Sequence, residues 1–158
     1  MTGMIIRRAR NEDIPRILVM ITEIFAGEQE IPEELIPIPE EMEPRWLCAE
    51  ESGEIIGTIA LYKDGEEWHM GRFAVSPDRR GNHLGSRLFQ YAVDDVFSSG
   101  IPEIHCEARD VTVHIVESLG GVATGAAFPF FKGNVTPMIL KKDSFQKKLT
   151  AGAAWQKE

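Results

Sequence analysis

The fourteen residues from Val75 to Leu88 read Val-Ser-Pro-Asp-Arg-Arg-Gly-Asn-His-Leu-Gly-Ser-Arg-Leu. A strand-like run, Trp68 to Val75, precedes them, and an apolar series with helical spacing follows. Gly81 and Gly85 therefore sit where a strand hands over to a helix N-terminus. The first N–H groups of a helix have no internal partner and carry the positive end of its dipole, so a phosphate is bound there without any lysine. The chemistry this spacing predicts is the holding of a phosphate-bearing ligand. Cys48 and Cys106 fall inside apolar strand-like runs and lack the spacing of a metal knot, so they read as free buried thiols and no metal site is expected.

The elements that must position this segment follow from periodicity and turn residues. Ile5 to Arg8 reads as a strand. Asn11 is placed to cap a helix with Glu12, Asp13 and Pro15 in its first turn and with Ile14, Ile17, Leu18, Ile21, Ile24 and Phe25 on its apolar face. From Gly27 to Pro44, prolines at 32, 37, 39 and 44 and seven glutamates exclude one regular helix. Trp46 to Glu51, Glu54 to Tyr62 and Glu66 to Val75 form an antiparallel meander, turning at Ser52-Gly53 and Asp64-Gly65. Leu84, Leu88, Tyr91, Ala92 and Val96 mark one face of the next helix. A strand at Glu103 to Ala108, a helix at Val111 to Leu119 and two strands near Val122 to Phe128 and Val135 to Leu140 complete the pattern. The order predicts an α/β (α+β) chain built on a mixed sheet, with a parallel right-handed crossover around the glycine segment.

A chain of 158 residues suits one well-buried core. We read a single domain over 1–142 and a polar C-terminal tail over 143–158. Acidic residues outnumber basic ones by 25 to 17, which argues against nucleic acid as a partner. No apolar stretch approaches the roughly 20 residues that span a bilayer. The start runs straight into a strand pattern instead of a signal-peptide core, so a cytoplasmic location with no membrane partner is expected. Nothing selects an oligomeric state; a homodimer is the commonest soluble assembly.

The element order, with Val75-Ser76-Pro77 followed by Arg80-Gly81-Asn82-His83-Leu84-Gly85, resembles the GNAT superfamily of acetyl-CoA-dependent N-acetyltransferases from Ile5 to Lys142. In that family the pattern (Arg/Gln)-x-x-Gly-x-(Gly/Ala) lies between the fourth strand and the following helix, and its amides hold the coenzyme A pyrophosphate. The resemblance implies a mostly antiparallel twisted sheet of six to seven strands flanked by about four helices, with splayed fourth and fifth strands. It implies acetyl-CoA as cosubstrate, held by Arg80, Gly81, Asn82, His83, Leu84, Gly85, Ser86 and Arg109, with the backbones of Phe73, Ala74 and Val75 pairing with the pantetheine arm. The central glycine of the pattern is His83 here. A Cβ fits if that residue is in an ordinary helical conformation, with its imidazole either on a phosphate oxygen or facing solvent. An asparagine and a tyrosine that touch the cofactor and protonate the thiolate in many members are, aligned on Gly120, replaced by Arg109 and Val116.

Amide formation from a thioester requires a neutral amine, so some group must take a proton. Counting back six residues from Val75, the position of a catalytic carboxylate in related histone-acetylating members is His69. Period two puts His69, Gly71, Phe73 and Val75 on one strand face and Trp68, Met70, Arg72 and Ala74 on the other. His69 is the leading expected base, since a histidine accepts protons near neutral pH. His105 and Glu107, which share a face of the next strand, are the runners-up, and His114 reads as a surface residue. Direct transfer in a ternary complex is expected, with Cys106 as a covalent carrier the exception.

The resemblance assigns the acceptor pocket to the segment Glu28 to Glu43 and the turn Phe128-Pro129-Phe130-Phe131. Carboxylates at its mouth would attract a small basic primary amine, although glutamate runs are also commonly solvated faces. The alternative is a non-catalytic acetyl-CoA-binding sensor or interaction module, which His83, Arg109 and Val116 keep open.

Overall fold

In the computed structural model, which describes residues 3–150, the sheet order is β1-β2-β3-β4-β5-β8-β6, with β7 also paired to β8. The strands are β1 (Met4–Arg8), β2 (Arg45–Glu51), β3 (Glu54–Asp64), β4 (Glu67–Val75), β5 (Glu103–Arg109), β6 (Val122–Ala123), β7 (Phe128–Pro129) and β8 (Asn134–Lys141). The helices are α1 (Ile14–Glu28), α2 (Leu84–Ser98), α3 (Asp110–Ser118) and α4 (Lys142–Thr150). All pairs are antiparallel except β4 with β5. The sheet thus has eight strands where six to seven are expected, because the stretch after Gly121 forms two separate two-residue strands on β8.

Alternation along the strands sends side chains to two cores. Leu47, Ile59, Leu61, Met70, Ile104, Cys106 and Ala108 pack with Leu88, Phe89, Val93 and Val96 of α2 and with Val116 of α3. Trp46, Cys48, Ala60 and Ala74 pack on the other face with Ile17, Ile21, Ile24 and Phe25 of α1. The proline- and glutamate-rich segment makes two short 3₁₀ turns, Glu33–Leu35 and Glu40–Met42, and buries Ile36 and Ile38 in the α1 core. Its glutamates 33, 34, 40, 41 and 43 face solvent.

Two local expectations change. The entry to α1 is a 3₁₀ turn, Asn11–Asp13, and the polar group that organises it is Asp13, not Asn11. The Asp13 carboxylate accepts from the Arg10 amide at 2.7 Å and from Arg7 and Arg16 at 2.7 and 2.9 Å, and is itself fully buried. At the other end, α4 is docked: Phe145 is buried in the α2–α3 core, its ring 5.6 Å from that of Phe97. Residues 151–158 of the polar tail lie outside the described residues.

The strand that matters most for the site, β4, is not regular. Thr58 of β3 faces Ala74, but Ala60 faces Gly71, so β4 holds one residue more than its partner. Arg72 takes up the extra length in the left-handed region, at φ 52°. The bulge breaks the period-two alternation: Phe73 joins Trp68 and Met70 on the α2 face, and Val75 packs near Leu84, while Ala74 and Tyr62 belong to the α1 face. The expected grouping of His69 and Gly71 with Phe73 and Val75 is therefore corrected.

Candidate active site

The loop Ser76 to His83 leads from β4 into α2. Gly81 has φ 89° and His83 φ 62°, so the chain turns twice through the left-handed region before the helix starts. The ordinary helical conformation in which a Cβ at His83 would fit freely is not the one adopted; histidine is among the non-glycine residues that enter the left-handed region at moderate cost. The first intrahelical hydrogen bond runs from the Arg87 amide to the His83 carbonyl at 3.1 Å. The amides of Leu84, Gly85 and Ser86 precede it and have no acceptor within the helix. At Gly85 a Cβ would lie 3.1 Å from the Phe73 ring, so glycine here lets the helix start press against β4.

Arg80 ties this loop down. Its Nε donates to the Val75 carbonyl at 3.1 Å, and its terminal nitrogens reach Glu28, at the end of α1, at 3.0 and 3.2 Å. The guanidinium therefore holds the loop against α1, while the helix-start amides without an acceptor in the helix belong to the residues after it.

Among the described residues, β4 and β5 share a single register pair, His69 with His105. Beyond it the two strands diverge toward Val75 and Arg109. The opening is a cleft of about 160 Å³ lined by Tyr62, Met70, Gly71, Arg72 and Phe73 on one side and by Cys106, Glu107, Ala108, Arg109 and Thr112 on the other. Phe25, Gln29, Ile31, Leu35 and Ile36 from α1 and the following segment, and Phe130 from the aromatic turn, close it. Arg72 fixes that wall: its Nε donates to the Ile36 carbonyl at 2.6 Å and its Nη2 to the Leu35 carbonyl at 3.2 Å.

Of the three proposed bases, Glu107 lines the cleft and the two histidines stand outside its lining. His69 is layered between Tyr62 and His105, with ring centroids 5.8 and 5.4 Å away, and its Nε2 is 3.2 Å from Glu67. The Nε2 of His105 is 3.2 Å from Glu103. All three candidates share the α1 face of the sheet, but only the alternation His105, Glu107, Arg109 runs down β5 into the opening. Tyr62, Arg72 and Gln29 were not signalled by any motif; Tyr62 could have been found from the register of the β3–β4 hairpin, which sets it opposite His69.

Other expected residues fall elsewhere. The glutamates of the 28–43 segment do not line the cleft; that segment contributes Gln29, Ile31, Leu35 and Ile36 instead. Val116 is buried in the core. Cys106 borders the cleft but is buried, and desolvation, with a smaller contribution from the Glu107 charge, pushes its thiol up to about 12. A thiol in that state is a poor nucleophile. Burial likewise raises the Tyr62 phenol above its ordinary range.

The acetyltransferase (GNAT) family model matches residues 6–120. The chain belongs to the GNAT acetyltransferase family. Solved structures of this fold match nearly the whole GNAT chain. Escherichia coli ElaA superposes with a TM-score of 0.74 at 15% identity, covering 89% of this chain and 100% of that one. FeeM, an N-acyl amino acid synthase from uncultured soil microbes, gives 0.77 at 12% identity over 94% and 95% of the two chains. The yncA protein of Salmonella typhimurium, solved with its cofactor acetyl-CoA, gives 0.67 at 18% identity over 88% and 94%. No curated protein matches the GNAT chain significantly in sequence. Among the described residues no helix is long and apolar enough to cross a membrane, and no three His, Cys, Asp or Glu side chains cluster to hold a metal ion.

Proposed function

We propose that this chain transfers an acetyl group from acetyl-CoA to a primary amine, acting in the cytoplasm. The observation that carries the reading is that Phe73, which lines the β4–β5 cleft, packs on Gly85 at a helix start whose first amides lack acceptors within the helix. Those amides, on Leu84, Gly85 and Ser86, would hold the pyrophosphate together with the turn Arg80 to His83. The unpaired edge of β4 from Phe73 to Val75 would pair with the pantetheine arm, and an amide there would polarise the thioester carbonyl. Acetyl-CoA supplies the activated acetyl group, which the amine attacks directly in a ternary complex.

Glu107 would take the proton from the incoming ammonium, directly or through water; its position in the cleft lining supports this. His69 and His105 stand behind it and would relay or position. The raised thiol of Cys106 argues against a covalent carrier. Coenzyme A leaves with modest help, since a thiol titrates near 8.5 in water, so a replacement for the tyrosine absent at Val116 is not required. The expected small basic acceptor loses its support, because the glutamates meant to attract it lie outside the cleft.

Thiol release from acetyl-CoA, measured across a panel of amines, tests the proposal, with cofactor binding read separately by calorimetry. Release above hydrolysis with at least one amine supports it. Binding of acetyl-CoA without amine-dependent release supports the sensor module instead, and no binding overturns both.

A further inference from the structure

The cleft carries one polar group whose valence is unfilled. Arg109, the last residue of β5, uses Nη1 twice, on the Phe130 and Lys132 carbonyls at 3.0 Å each, and lays its guanidinium 5.3 Å above the Phe130 ring. Its Nη2 is sealed from solvent and has no hydrogen-bond partner among the described residues. A buried charged donor left without an acceptor is costly. The other charged lining groups do not relieve it. Arg72 has spent its Nε and Nη2 on backbone carbonyls, and Glu107 is the single acid of the lining against two arginines. The wall at this end also carries the apolar Ile31, Leu35, Ile36 and Phe130, with Gln29 and Thr112 as its neutral polar members.

We propose that Arg109 Nη2 receives a carboxylate of the acceptor, so that the substrate is an amino carboxylate with an apolar or aromatic body. This rests on the amine-acetylating reading above and narrows it. Arg109 hangs from the strand that also carries Glu107, two residues earlier on the same face. One strand therefore offers an anchor for the acid group and a base for the amine. The guanidinium fork suits a carboxylate better than it suits a neutral carbonyl. Burial lowers the pKa of Arg109 from its ordinary value, and the nearby Asp110 charge offsets this only in part. Nη2 is closed to solvent in the free chain, so a carboxylate that reaches it displaces the wall around it.

Matched substrates test the assignment: phenylalanine against phenethylamine, and leucine against 3-methylbutylamine. The wild-type chain is expected to favour the carboxylated member by about 10- to 100-fold in kcat/KM, the range of a charged hydrogen bond. Arg109→Gln should bring that ratio toward one while leaving the calorimetric affinity for acetyl-CoA within about three-fold, and Arg109→Lys should recover part of the preference. A wild-type chain indifferent to the carboxylate overturns the proposal. So does Arg109→Gln if it leaves the ratio intact and weakens acetyl-CoA binding, which would give the residue to the cofactor. Calorimetry of phenylalanine and phenethylamine on the wild-type chain with coenzyme A needs neither a foldable variant nor turnover. Selective binding of phenylalanine without transfer keeps the carboxylate site and discards the transferase reading; equal binding or none discards the site.

Discussion

The rings of His69 and His105 stack 5.4 Å apart across the register pair that joins β4 to β5. This pair marks the vertex from which the two strands open. Under the proposed function the reacting groups lie further along the strands, where the cleft is, and on β5 the next side chain on the same face is Glu107. The position singled out by counting back from Val75 is therefore at the closed end of the opening.

Glu107→Gln is accordingly expected to lower kcat by about 100-fold or more, the usual size of a lost general base. Acetyl-CoA affinity by calorimetry should hardly move. His69→Ala should cost less than Glu107→Gln in kcat, since the ring supports the vertex and stands back from the cleft lining. The reverse ranking would return the role of base to His69 and place the reacting amine nearer the vertex than the cleft suggests.

Gly85 separates two effects that a single substitution would confuse. A Cβ there meets the Phe73 ring at 3.1 Å, so Gly85→Ala should cost stability by about 1–3 kcal/mol as other overpacked contacts do. Gly85→Asp adds a negative charge at the helix start and should weaken acetyl-CoA binding well beyond the alanine variant. Equal affinities for the two variants, measured by calorimetry, would mean that the helix start does not face the pyrophosphate.

His83 departs from the family glycine while keeping a glycine-like backbone, at φ 62°. Backbone shape should then matter more than the imidazole for cofactor binding. His83→Gly is expected to retain acetyl-CoA affinity, whereas His83→Val, a β-branched residue that enters the left-handed region badly, should weaken it. If valine were tolerated and glycine were not, the imidazole itself would be the phosphate ligand.

Much of the fold was legible because its signals are local. Ser52-Gly53 turns the first hairpin with both residues at positive φ, 53° and 81°, as a two-residue turn requires. The apolar spacing of Leu84, Leu88 and Ala92 likewise places α2 on the sheet. The candidate site was harder to read. The extra residue at Arg72 is announced only by the neighbouring Gly71, a single glycine inside a strand pattern, and it reverses the faces of Phe73 and Val75 relative to His69. The second hairpin turns at Gly65-Glu66, one residue later than Asp64-Gly65, which brings Tyr62 opposite His69 instead of Glu67. The Glu28 to Glu43 segment does reach the cleft, but through its intervening apolar residues. Composition registers the charges and not which side of an irregular chain they take.

Stability toward acid should depend on one residue far from the cleft. Arg7, backed by the Arg10 amide and Arg16, holds the Asp13 carboxyl well below the usual carboxylate range, against the opposing effect of burial. A depressed folded-state pKa contributes stability that is fully present above the unfolded value, about 3.9 for aspartate, and is lost as pH falls through the folded value. Unfolding midpoints followed in denaturant from pH 7 downward should therefore drop below about pH 4. Asp13→Asn should remove roughly 3–5 kcal/mol at pH 7, because it leaves the part-buried Arg7 with Glu50 as its one remaining carboxylate partner among the described residues, and should flatten the acid limb of the profile. An acid limb unchanged by Asp13→Asn would move its origin to other carboxylates, of which Glu50, also bound to Arg7 at 2.7 Å, is the next to replace.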